Sequence, residues 1–73
     1  MIESFYLFIL SYRGGDSNDS KSLFAEGAFQ DHSFPKASTS FEELSSYIET
    51  LADEHMTTHV FDELWELYQT KYQ

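Results

Sequence analysis

A chain of 73 residues with no cysteine has no covalent staple and no thiolate metal cage, so packing alone must hold it folded. A domain of this length buries only about 60% of the surface its unfolded chain exposes. Side chains that each remove a large area from water therefore decide whether it folds. The sequence supplies seven Phe, five Tyr and one Trp, each able to bury ~150–250 Å². A single domain over residues 1–73 is the expectation. The missing thiols also exclude a cysteine nucleophile and fit a reducing compartment.

The apolar run at residues 5–10 is too short for a secretory leader in its usual setting. Glu3 stands where such leaders carry positive charge, and no small-residue cleavage site follows. A membrane span needs ~20 apolar residues, and no stretch comes close. The expected location is the cytoplasm.

Charge is the strongest compositional feature: four Lys or Arg against thirteen Asp or Glu, a net charge of −9. From residue 42 to 66 there are eight acidic residues and no Lys or Arg. Such a half carries a negative field that repels phosphate backbones and anionic lipid head groups. One reading is a solvated face that keeps the protein soluble. The sharper one is a protein partner with a basic surface.

Periodicity places four helical segments and no repeat or long linker. The first covers residues 4–13, with Ser4 as N-cap and Phe5, Phe8, Ile9 and Tyr12 on one stripe. Tyr6, Leu7 and Leu10 widen that stripe, so this helix is expected to be covered on more than one side. Gly14 and Gly15 end it, and a polar loop follows to Asp19. The second opens at Asp19 or Ser20 and runs to about residue 31. Leu23, Phe24 and Ala28 form its inner face, with Ala25 and Phe29 beside it. Gly27 lies inside this helix, at a cost of ~1 kcal/mol relative to alanine, as a weak point or a place where another helix approaches closely.

Residues 33–38 read as a loop, because Pro35 lacks an N–H and forces Phe34 toward extended geometry. Phe34 is expected to plug the core from outside the helices. The third helix spans about residues 39–52 and has two overlapping capping boxes, Thr39 with Glu42 and Ser40 with Glu43. Leu44, Tyr47, Ile48 and Leu51 form its stripe. The fourth spans about residues 58–71 after a cap at Thr57 or Thr58. It carries Phe61, Leu64, Trp65, Tyr68 and Tyr72 at helical spacing, and Met56 and Phe61 are placed for a hydrophobic staple. The fold class is all-α, a compact bundle of about four short helices.

Four segments carry a resemblance. Ser4-Phe5-Tyr6, Asp31-His32-Ser33-Phe34-Pro35-Lys36, Ser45-Ser46-Tyr47-Ile48-Glu49 and Phe61-Asp62-Glu63-Leu64-Trp65 resemble the YozE family, small uncharacterised proteins of Gram-positive bacteria. The likeness runs in order over nearly the whole chain. It implies an all-α, SAM-like arrangement of short helices, and the family has no established function. The Gly14-Gly15 pair replaces a more basic or proline-containing stretch of relatives, so a binding role for that loop is not implied.

SAM-like domains include protein-interaction modules and nucleic-acid binders, and fold alone does not choose between them. Electrostatics favours the first: the only cations are Arg13, Lys21, Lys36 and Lys71, set in an acidic field. Catalytic machinery is not evident, and no cofactor is expected. His55 and His59 have a spacing that can serve zinc, with Asp53 or Glu54 nearby. However, Met56 stands where a metalloprotease motif needs Glu, and His55 falls in the loop before the helix. Ser33 beside His32 lacks a convincing orienting third group beyond Asp31.

Two places suit a partner contact. In the loop at residues 31–36, Asp31 and His32 end the second helix and Phe34 turns inward, leaving His32, Pro35 and Lys36 as candidate contacts. In the fourth helix, Trp65 is expected in the core and Tyr72, near the C-terminus, as the exposed aromatic anchor.

Overall fold

Ser4 opens the fold. Its backbone is extended, and its Oγ accepts from the Leu7 N–H at 3.3 Å, satisfying a donor that the helix ladder leaves unpaired. The computed structural model describes residues 3–15 and 18–72. Helix α1 (Phe5–Ile9) is shorter than its apolar run suggests, because the chain tightens into a 3₁₀ turn, Leu10–Tyr12. There the Ser11 hydroxyl donates to the Phe8 carbonyl at 2.9 Å, a local bond that competes with the α ladder. Gly14, at φ +83°, then turns the chain with a conformation that side-chain-bearing residues avoid. Of the polar loop expected before Asp19, Asp16 and Ser17 lie outside the described residues.

Helix α2 (Ser20–Gln30) is capped by Asp19, whose carboxylate accepts from the Lys21 N–H at 3.0 Å. Its inner face differs from the expected one: Ser22, Phe24, Ala25 and Ala28 are buried, whereas Leu23 is half-buried and Phe29 is exposed. The Gly15 N–H donates to Ser22 Oγ at 3.1 Å, so the preceding loop folds over this serine and buries it. Gly27 marks a close approach, although to a loop side chain and not a helix: a Cβ there would lie 3.0 Å from Met56 Sδ.

Phe34, with 3% of its surface exposed, plugs the core as expected and meets the rings of Tyr6 and Tyr47, each at 5.6 Å between centroids. Helix α3 (Phe41–Leu51) uses one of its two possible caps: Ser40 Oγ accepts from the Glu43 N–H at 3.3 Å. The Ser40 N–H is satisfied by Ser38 Oγ at 3.1 Å. The helix ends at Ala52 in the left-handed region, φ 51° and ψ 41°. Helix α4 (Thr58–Lys71) begins as expected, with Thr57 Oγ1 accepting from the Val60 N–H at 3.3 Å, and the staple residues Met56 and Phe61 are both buried.

Around α4 the other elements assemble: α1, α2 and α3 each pack against it, and the 3₁₀ turn packs on α2. No strand occurs among the described residues. Phe5 stands at the centre, fully buried, with the rings of Phe61, Tyr68, Trp65 and Phe24 at 5.3, 5.6, 5.7 and 6.5 Å. Aromatic side chains from α1, α2 and α4 thus make one cluster, which is how so short a chain closes a core.

Candidate interaction surface

The four cations are already engaged within the chain. Arg13 Nε lies 2.9 Å from Glu26 Oε1, Lys21 Nζ 3.8 Å from Glu63 Oε2 and Lys71 Nζ 3.3 Å from Glu3 Oε1. Lys36 makes no ion pair among the described residues, and its Nζ sits 5.7 Å from the centre of the Tyr6 ring. Such exposed pairs add little stability, but they leave no cluster of open positive charge among the described residues.

Carboxylates are distributed differently. Glu42, Glu43 and Glu49 on α3 and Asp62 and Glu66 on α4 are exposed and take part in no ion pair with a described residue. Between these helices lies an aromatic seam: Phe41 packs edge-on to Trp65 at 5.4 Å and tilted over Phe61 at 5.6 Å. Phe41 is 42% exposed, and Trp65 is half-buried. Sequence reasoning placed Trp65 in the core and did not single out Phe41. The first position of a helix carries no periodic signal, and only the packing of α3 on α4 brings that ring beside Trp65.

The expected contact residues separate. His32 and Lys36 are exposed and Pro35 is half-buried. Their loop is tied down by Asp31, whose carboxylate accepts from the Ser33 N–H at 3.0 Å and from the Tyr47 hydroxyl. Burial, with Asp31 adding to it, pushes the Tyr47 phenol up to about 12. Tyr72, expected to be an exposed anchor, is half-buried because it folds back onto Tyr68, ring to ring at 5.2 Å. It helps close a clasp between the chain ends: the Tyr68 hydroxyl donates to the Glu3 carbonyl at 2.6 Å. Hydrogen bonding from Tyr72, joined by Lys71 and opposed by partial burial, holds the Glu3 carboxyl below the usual carboxylate range. The Lys71 ammonium is raised by its bond to that same carboxylate.

His55 and His59 do not converge on a metal-like set. His55 Nε2 is 3.4 Å from Glu54 and His59 Nε2 is 3.6 Å from Glu63, each an exposed pair. No group of three or more potential ligands is gathered among the described residues. An open depression of ≈ 310 Å³ on α2 and α4 is lined by Lys21, Glu63, Glu66, Leu67 and Thr70; there Lys21 Nζ lies 3.8 Å from Glu63 Oε2, and the Thr70 hydroxyl donates to the Glu66 backbone carbonyl at 2.9 Å. Among the described residues no helix is long and apolar enough to cross a membrane.

The family model for the YozE SAM-like fold matches residues 4–70, which carry the cap, plug, staple and seam described above. The chain belongs to the YozE SAM-like family. It is 50% identical over 68 residues to the UPF0346 protein GK1571 of Geobacillus kaustophilus, covering 93% of this chain and 94% of that one. To the UPF0346 protein YozE of Bacillus subtilis it is 47% identical over 70 residues, 96% of this chain and 95% of the relative. A UPF0346 protein of Lactiplantibacillus plantarum is 46% identical over 68 residues, 93% of each. The family name specifies a fold and no reaction.

Proposed function

We propose that this family member is a non-catalytic protein-interaction domain of the cytoplasm that presents an acidic, aromatic surface to a partner with a basic one. One observation carries the reading. Arg13, Lys21 and Lys71 are each paired with a carboxylate of their own chain, while α3 and α4 keep carboxylates that pair with no cation among the described residues, alongside the exposed Phe41 ring. A nucleic-acid binder needs the opposite, cations free to displace counterions from phosphates.

Reversible cross-linking in the native host, followed by affinity capture of the tagged chain with and without nuclease, tests the reading. A protein that remains after nuclease is the expected result. Capture that collapses on nuclease treatment overturns it in favour of nucleic-acid association.

A further inference from the structure

Three of the four cations rest over aromatic rings of their own chain. Arg13 Cζ is 3.5 Å from the centre of the Phe29 ring, Lys36 Nζ is 5.7 Å from Tyr6, and Lys71 Nζ is 5.6 Å from Phe8 and 5.4 Å from Tyr72. The Arg13 arrangement has a further member, since its Nε donates to Glu26 Oε1 at 2.9 Å. A guanidinium is thus held by both a ring face and a carboxylate, the two groups that recognise it best.

The α3–α4 seam has the same two ingredients without the cation. Phe41 and Trp65 offer ring surface at the seam, with centroids 5.4 Å apart. At the helical step of about 100° and about 1.5 Å per residue, Glu42 stands about 100° from Phe41 and one residue along α3, and Asp62 about 60° from Trp65 and about 4.5 Å along α4. Both carboxylates are exposed and in no ion pair with a described residue.

We propose that this seam receives an arginine side chain from a basic segment of a partner protein. The guanidinium stacks on the exposed Phe41 ring beside Trp65 and donates to the carboxylate of Glu42 or Asp62. The proposal rests on the protein-interaction reading and adds the place and the residue type recognised. Charge complementarity selects this occupant. The chain's own cations are engaged elsewhere, a second copy would bring the same net charge of −9, and nucleic acid would bring phosphates. Lysine fits less well, because a compact ammonium neither stacks as a plane nor bridges two carboxylate oxygens.

The only Trp in the sequence is Trp65, so its fluorescence reports on the seam directly. The whole chain is titrated at about 0.15 M salt with blocked octapeptides in which glycine alternates with arginine, lysine or glutamate. The arginine peptide should give a saturable change in emission, at least about threefold tighter than the lysine peptide, and the glutamate peptide none. Phe41→Ala should weaken the arginine peptide by about fivefold. Because Phe41 also packs on Phe61, a second variant, Glu42→Gln with Asp62→Asn, removes only exposed charge and should weaken binding about tenfold. No saturable change, equal affinity for the arginine and lysine peptides, or binding that survives both variants overturns the proposal. None of these outcomes decides whether a protein is captured in the host, so the site and the module reading fail separately.

Discussion

Gly27 is the position where helix propensity and packing give opposite signs, and its substitution measures which wins. In isolation, alanine within a helix is better than glycine by ~1 kcal/mol. In the fold, the added Cβ would meet Met56 at 3.0 Å from Sδ and 3.1 Å from Cγ, closer than ordinary van der Waals contact. Met56 is 1% exposed and precedes the cap of α4, so its side chain has little room to yield. Overfilling a packed site costs ~1–3 kcal/mol. Gly27→Ala should therefore destabilise by about 1 kcal/mol net, a drop in Tm of about 4–8 °C for a domain of this size. Met56→Ala alone removes a buried side chain and should cost ~2–5 kcal/mol. In that background the clash is gone, and Gly27→Ala should become stabilising by ~1 kcal/mol. Urea denaturation of the four chains of this double-mutant cycle checks the coupling, about 2 kcal/mol in total. If Gly27→Ala stabilises the otherwise natural chain, or costs the same with and without Met56, the close-approach argument is wrong.

Three further outcomes follow from the caps and the loop. Thr57→Ala should cost about 1 kcal/mol, with Thr57→Ser restoring most of it, because the hydroxyl is what accepts from the Val60 N–H at 3.3 Å; chemical denaturation reads both. Ala52→Gly should raise stability by about 0.5–1 kcal/mol, since φ 51° suits glycine better than alanine; an unchanged or lower Tm contradicts this. Tyr47→Phe should cost about 1–2 kcal/mol at neutral pH through the lost bond to Asp31. Its phenol is raised to about 12 in the folded chain, against an ordinary value of 10.0, so its contribution is complete below pH 10 and lost as pH rises toward 12. The variant should show a shallower loss of stability across that window, with a residual slope from Tyr68 and Tyr72, which are also raised.

Local chemistry was legible where it acts over three or four residues. The caps at Ser4, Asp19, Ser40 and Thr57 follow from a hydroxyl or carboxylate beside an apolar run, and Phe34 had to turn inward because Pro35 denies its segment a helix. What was not legible depends on distant parts meeting. Ser22 is buried because Gly15 reaches back to its hydroxyl, and Phe29 stays at the surface under Arg13; neither follows from periodicity. Tyr72 lies against Tyr68, and the clasp to Glu3 closes beside it, only because the two ends of the chain come together. The seam was missed for the same reason. Acidic and aromatic character was evident in composition, but the pairing of Phe41 with Trp65 exists only once α3 is packed on α4.

The account stands or falls on whether the partner is a protein that binds this chain directly. A protein recovered by nuclease-resistant capture is purified and titrated calorimetrically into the whole chain, alongside a single-stranded and a double-stranded oligonucleotide, at about 0.15 M salt. The account predicts a saturable complex with the protein and no heat of binding from either oligonucleotide. Saturable binding of an oligonucleotide, with none of the purified protein, would contradict it.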